Sequence, residues 1–253
     1  MEKTTERSVE RTFNIIEELA LWPYGVTLTE LSTCVSLPKA TTHRLLNTLI
    51  SRGYVTREVN SGKYRLTMRL FEISSYGSDG RQILFVALPY LESLARVSNE
   101  TIHLAVPDGA EMVYLFRGES RNMGVRMPGG VGIRTPLYAC STGKSIMAAL
   151  PVEERKALWK KMKFNKKTVN SKTCFEEFEP EVEQILQRGY AIDNEEGDIG
   201  VRGIAVSIRN YIGRPIASIG ISSLVRYMGD DKIEELAPKL ITVAQEIASA
   251  INT

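Results

Sequence analysis

Turn-forming residues divide the first 66 positions into a set order of short segments, and that order limits the fold more than any other feature of the chain. A first helix is predicted from residue 9 to about 20, capped by Ser8, with Phe13, Ile16, Leu19 and Ala20 on one face. Pro23 and Gly25 end it. Thr27-Leu-Thr-Glu30 has the spacing of a capping box and opens a short helix that turns Leu28, Leu31 and Val35 inward. After a break at Ser36-Leu37-Pro38, a third helix runs to about Arg52, with Pro38 suited to its first position and Gly53 to its stop. Leu45/Leu49 and Leu46/Ile50 give it two apolar pairs one turn apart. Residues 54–59 and 63–66 then read as strands around the turn Asn60-Ser-Gly62. Helix, helix, tight break, helix and hairpin is the order of a winged helix-turn-helix. It is placed at residues 1–67, with the helix-turn-helix at about 27–47 and the wing at 54–66.

The polar residues of the third helix suit nucleic acid. Lys39, Thr41, Thr42, His43, Arg44 and Asn47 lie off its apolar face, mostly in the half that a recognition helix places in the major groove. Thr methyls can meet thymine methyls, and Asn or His can reach base edges. Lys39, Arg44 and the wing's Lys63 and Arg65 suit phosphates. Residues 1–69 hold ten Lys/Arg and seven Glu, a net +3, within a chain of net +2. The excess is modest, and a small helical domain with a solvated polar face would also carry it.

Beyond residue 67 the pattern changes. Residues 68–82 are expected to form a linker helix, with Ser74-Ser-Tyr-Gly-Ser-Asp-Gly80 as the flexible part, and residues 83–253 a second domain. There an amphipathic helix at 83–97 is interrupted or started near Pro89. Hairpins are predicted at 101–116 and 203–221, and helices at 141–150, 153–162, 175–188 and 230–251. Strands joined by hairpins imply an antiparallel sheet with flanking helices, an α+β class.

The 253 residues, 43% apolar and 25% charged, exclude disordered, collagen-like and disulfide-scaffold chains. Three cysteines without CxxC spacing and two histidines leave little for a zinc site or a histidine triad, and neither a metal nor a cofactor is expected. No signal peptide and no apolar run of about 18 residues is present, so no membrane partner is expected and the cytoplasm is the expected location. Gly143-Lys144-Ser145 lacks the earlier glycine of a P-loop, since residue 138 is Tyr. Its segment, Ala139-Cys-Ser-Thr-Gly-Lys144, opens a helix, either as an anion site or as an ordinary start capped by Ser141. Asp193-Asn-Glu-Glu196 reads as a solvated acidic loop without a nucleophile to serve. Cys140 is the one cysteine placed for reactivity, because a helix N-terminus would lower its pKa.

The whole chain resembles the IclR family of transcriptional regulators. The resemblance is carried by Leu28-Thr-Glu-Leu31 through Leu37-Pro-Lys-Ala-Thr-Thr-His-Arg-Leu-Leu46, then Arg52-Gly-Tyr-Val55 and Gly62-Lys-Tyr-Arg-Leu66. It continues at Pro136-Leu-Tyr-Ala-Cys-Ser-Thr-Gly-Lys144, Arg188 to Glu196, Gly200 to Ala205 and Gly213 to Ser222. The resemblance implies a GAF-like effector-binding domain after the linker, and dimers or tetramers on palindromic double-stranded DNA. It also implies a small-molecule effector, often a carboxylate. Effector contacts would come from Ala139, Cys140, Ser141, Thr142, Gly143, Asp193, Gly203, Gly220 and Ser222. Gly203 and Gly220 stand where many members have Cys and Ser, so a roomier pocket for a sugar acid or aromatic acid is expected. The expected function is a metabolite-responsive, sequence-specific repressor and not an enzyme. A GAF-like-domain enzyme using Cys140 or the Asp193 cluster, and an architectural DNA-binding protein without effector, are the alternatives.

Overall fold

The computed structural model describes residues 7–77, 79–119 and 130–252. Two compact units meet in sequence after Ser78.

The first unit contains helices α1 (Arg7–Ala20), α2 (Leu28–Cys34) and α3 (Lys39–Ser51), the hairpin β1 (Val55–Arg57) and β2 (Tyr64–Leu66), and α4 (Arg69–Gly77). Its core joins Ile15, Leu19, Leu31, Leu45, Leu46 and Leu49 of the helices to Val26, Val55 and Tyr64. Val26 bridges Tyr64 through both backbone hydrogen bonds, tying the wing to the helices. The capping box forms as expected: the Glu30 carboxylate accepts the Thr27 N–H at 3.0 Å, and Thr27 Oγ1 accepts the Glu30 N–H at 3.3 Å. Gly62 turns the wing at φ +67°.

Three expectations fail here. Ser8 lies inside α1, where its carbonyl accepts the Thr12 hydroxyl, so it is not the cap. α1 buries Ile15 and Leu19 while Phe13 and Ala20 are exposed, a rotation of its apolar face. Pro38 is the cap residue rather than the first helical one, with extended ψ of 140°.

The second unit starts with α5 (Asp79–Ser98), which runs unbroken through Pro89. The supposed linker at 74–80 is therefore helical on both sides of Ser78, which itself lies outside the described residues. A six-stranded antiparallel sheet follows, in the order β5-β4-β3-β8-β7-β6. Its strands are β3 (Thr101–Asp108), β4 (Glu111–Gly118), β5 (Arg134–Pro136), β6 (Ala191–Asn194), β7 (Val201–Arg209) and β8 (Pro215–Leu224). The helices are α6 (Ser141–Ala149), α7 (Val152–Trp159), α8 (Phe175–Arg188) and α9 (Asp230–Ile251). Gly189 stops α8 in the left-handed conformation, φ +83°.

Side chains alternate across a strand, so each strand serves two layers. Ile102, Leu104, Ile204, Val206, Ile219 and Ile221 pack with Leu91, Leu94, Leu236, Leu240 and Ile247 of α5 and α9. Apart from His103, the residues next to them on these strands are small: Ala105, Ala205, Ser218 and Gly220. α6 lies against β7 and β8 over that second face. A Cβ on Gly220 would meet Thr142 Cγ2 at 3.2 Å, and one on Gly143 would strike the Leu137 carbonyl oxygen at 2.3 Å. The two glycines let α6 settle close to the sheet and to the turn before it.

Candidate effector pocket and DNA-reading surface

The start of α6 forms one wall of a cavity of about 110 Å³. Cys140 is the cap residue, its Sγ accepting the Gly143 N–H at 3.4 Å, and Ser141 is the first helical residue rather than the cap. Ser141 and Thr142 occupy the turn whose N–H groups have no acceptor within a helix. The positive end of the helix dipole therefore opens on the cavity.

Ala139, Cys140, Ser141, Thr142, Asp193, Gly203 and Ser222 all line this cavity. Gly143 and Gly220 do not: both are packing residues under α6, and the Gly143 N–H is taken by Cys140. Gly203 does not enlarge the space, since a Cβ there would meet the Ile221 oxygen at 2.9 Å and Ser222 Cβ at 3.2 Å. Among the described residues the cavity is smaller than the roughly 150 Å³ that holds benzene. The expected roomier pocket thus finds no support from these two glycines.

The sequence reading missed His103, Tyr114 and Arg117, which come from β3 and β4 and line the same cavity. His103 Nε2 and Ser222 Oγ are 2.6 Å apart, while the buried Nδ1 has no hydrogen-bond partner among the described residues. Burial, helped by Arg117, lowers His103 to about 4, so its ring is neutral at pH 7. Tyr114 packs edge-on against His103 and its hydroxyl lies 3.4 Å from Thr142 Oγ1. Burial pushes its phenol well above the usual range. Nothing about a β-hairpin sequence distinguishes these residues from ordinary strand positions.

Two chemical expectations are corrected. Burial raises the Cys140 thiol and outweighs the helix terminus, so Cys140 is a capping group rather than an activated nucleophile. The acidic loop is not solvated: Asp193 and Glu196 are buried, 9% and 4% exposed. Glu196 Oε1 lies 2.5 Å from Lys144 Nζ, and Glu181 Oε1 lies 2.7 Å from the same ammonium. Lys172 reaches the other Glu181 oxygen at 2.6 Å. Asp193 Oδ1 accepts the Glu196 N–H at 2.8 Å. Thr168 and Ser171 donate their hydroxyls to the Glu195 and Glu196 carbonyls at 2.6 and 2.7 Å, which straps the loop in place. Burial lifts Asp193 to about 7, against the smaller opposing effect of Lys144.

In the first unit, Lys39, His43, Arg44 and Asn47 are exposed on α3 and Thr41 is half-buried. Lys39, His43 and Asn47, four residues apart, share one face. Thr42 is fully buried and its hydroxyl donates to the Pro38 carbonyl, so it faces the core and cannot contact a base. Arg65 is exposed on the wing and Lys63 half-buried beside it. The sequence reading passed over Arg57, which is exposed on β1, donates to the Gly62 carbonyl and covers the Tyr64 ring. Among the described residues no helix is long and apolar enough to cross a membrane, and no group of His, Cys, Asp and Glu suits a metal ion.

An exposed helix-turn-helix with a basic wing, joined in one chain to an α+β domain holding an anion-suited cavity, defines a DNA-binding regulator with a sensory domain. Residues 8–59 match the model of the IclR helix-turn-helix domain, and residues 78–249 match that of the bacterial transcriptional regulator IclR C-terminal domain. The chain belongs to the IclR family of transcriptional regulators. It is 32% identical to the HTH-type transcriptional regulator KdgR of Escherichia coli (strain K12), over 97% of this chain and 92% of that one. The crystal structure of the Thermotoga maritima IclR superposes with a TM-score of 0.84 at 29% identity, covering 98% and 99% of the two chains. An IclR homologue from Microbacterium hydrocarbonoxydans, solved in complex with 4-hydroxybenzoate, shares the fold at 24% identity, with a TM-score of 0.81 over 96% and 98% of the chains.

Proposed function

We propose that this chain is a repressor acting in the cytoplasm, and that a small carboxylate in the α6 cavity sets its affinity for a palindromic operator. Lys39, His43, Arg44 and Asn47 read or grip the DNA from α3, and Lys63 and Arg65 hold phosphates from the wing. Residues 1–67 serve as the DNA-binding domain, 68–82 as the linker and 83–253 as the effector domain. The observation that carries the effector reading is the open N-terminus of α6 facing a cavity with hydroxyls around it. A small organic acid bound by the Microbacterium hydrocarbonoxydans homologue supports the same class of ligand. A ligand can change operator affinity only by binding the DNA-competent and incompetent arrangements unequally, typically by about 1–3 kcal/mol. Two half-sites related by the duplex symmetry call for a homodimer or homotetramer.

The test is binding to the chain's own upstream intergenic DNA and to random DNA at fixed salt, with and without a panel of keto acids, sugar acids and aromatic acids. The expected result is sequence-dependent binding released by one acid. Enhancement by an acid would overturn repression by release. Binding without any response to the panel would favour an architectural role. His43→Ala and Asn47→Ala should erode the preference for specific DNA, while Lys63→Ala should weaken both DNAs alike and reduce the salt slope by about one.

A further inference from the structure

The charges behind the cavity pair off, with half-buried Lys172 completing the set and one carboxyl group left over. Lys144 and Lys172 supply two ammonium groups, and Glu181 and Glu196 supply the two carboxylates that pair with them. Asp193 is a third carboxyl group on the same wall, and no ion pair reaches it among the described residues. Its support comes from the neutral N–H of Glu196, at 2.8 Å, and that of Gly197. On its other side lies the cavity, which the N-terminus of α6 also lines.

A carboxylate seated on the Ser141 and Thr142 N–H groups brings another negative charge into that cavity. Two carboxylates confined to one water-poor site cannot both stay ionised at low cost, so one of them takes a proton. We propose that Asp193 and the acid group of the effector share a single proton, so that binding beside an ionised Asp193 draws one proton from solvent. The proposal rests on the reading of the cavity as a carboxylate site.

The other ionisable groups on the cavity wall are His103 from β3, Tyr114 and Arg117 from β4, Cys140 before α6, Lys167 from the segment before α8, and Asp198 from the β6–β7 loop. Lys144 and Glu196 stand behind Asp193. His103, Tyr114 and Cys140 are neutral near pH 7 and cannot cancel the added charge. Arg117 and Lys167 are cations, and a ligand paired with either needs no proton. That difference is measurable.

The sign follows from linkage. Burial, against the smaller pull of Lys144 and the neighbouring N–H groups, holds Asp193 near 7. Below that value the proton is already in place and affinity is level; above it each binding event must take up a proton. Full-length protein is titrated calorimetrically with pyruvate, D-galacturonate and 4-hydroxybenzoate, all ionised at the carboxyl group, from about pH 6 to pH 8.5 in two buffers of different ionisation heat. The expected result is one acid whose affinity is flat to about pH 6.5 and then falls about tenfold per pH unit above pH 7.5, with close to one proton taken up at pH 8. Asp193→Asn keeps an acceptor for the Glu196 N–H and imitates the protonated acid; it should bind the same probe with no pH dependence, within about threefold of the natural protein at pH 6. If that variant does not fold, the buffer comparison on the natural protein decides alone. Affinity independent of pH to 8.5 without proton uptake overturns the shared proton, leaves the carboxylate reading standing and assigns the ligand to Arg117 or Lys167. Failure of every acid to bind at any pH overturns the carboxylate reading itself, and the shared proton falls with it.

Discussion

On one face of the large sheet β3, β7 and β8 turn Ile102, Leu104, Ile204, Ile219 and Ile221 toward α5 and α9; on the other they turn Ala105, Ala205, Ser218 and Gly220 toward α6. The first face is held by apolar area, about 25 cal/mol for each Å² removed from water. The second carries less apolar bulk, and its buried polar groups are satisfied one by one. Ser145 and Ser218 join hydroxyls at 2.8 Å, Ser218 donates to the Val206 carbonyl, and Lys144 meets two carboxylates. Small side chains bring α6 close enough for these contacts and leave room at its N-terminus for a cavity. The aliphatic face should thus lose stability in proportion to volume removed, whereas the polar face should fail when a single partner is missing.

The sharpest break in this comparison is expected at Lys144. Lys144→Met strands Glu196 in the interior, leaves Glu181 with Lys172 alone, and should cost about 3–5 kcal/mol in urea unfolding. Replacing Glu196 by Gln in the same chain should recover part of the loss; a cost below about 1 kcal/mol for Lys144→Met would end the distinction between the faces. Leu104→Ala on the aliphatic face should cost about 3 kcal/mol by the same measurement, with no dependence on pH. Gly143→Ala forces a methyl onto the Leu137 carbonyl and should cost about 1–3 kcal/mol, with cavity binding lost before folding is. The smallest change has the opposite sign. Because the folded-state pKa of Asp193 is raised to about 7, the natural protein loses stability as pH rises from about 4 toward 7. Asp193→Asn lacks that loss, so its melting temperature should match the natural protein near pH 5 and exceed it at pH 8, by about 1–2 kcal/mol in stability.

The legible parts of the sequence were those with a local cause. Helices α8 and α9 have the bounds that their apolar stripes, Gly189 and the acidic start at Asp230 imply. The capping box at Thr27 and the turn at Gly62 are as local. What stayed hidden depends on distant partners. Lys144 has no visible partner in the sequence, because Glu181 and Glu196 lie 37 and 52 positions away. Asp193 and Glu196 read as solvated for the same reason. β5 is three residues, Arg-Thr-Pro, at the edge of a sheet, too short to show alternation. Thr42 reads as a DNA contact through its methyl group, but the Pro38 carbonyl satisfies its hydroxyl and the side chain turns into the core. The cavity was half legible: the α6 segment and Asp193 came from the family resemblance, whereas His103, Tyr114 and Arg117 needed the register of β3 and β4.

The burial of Thr42 also limits how much α3 can say. With that side chain turned inward, the outward face offers Lys39, His43 and Asn47, with Arg44 beside them. On the DNA-reading role proposed for them, such a face can distinguish about four base pairs, a word that recurs by chance roughly once in 250 positions. Set against about 10⁶ or more competing sites in a genome, one reading head names nothing in particular. Two heads read together raise the rarity to about one in 60,000, and four carry it past the size of the text being searched. A narrow alphabet on each helix makes repetition of the chain, rather than a wider surface on any one copy, the cheapest route to an unambiguous address.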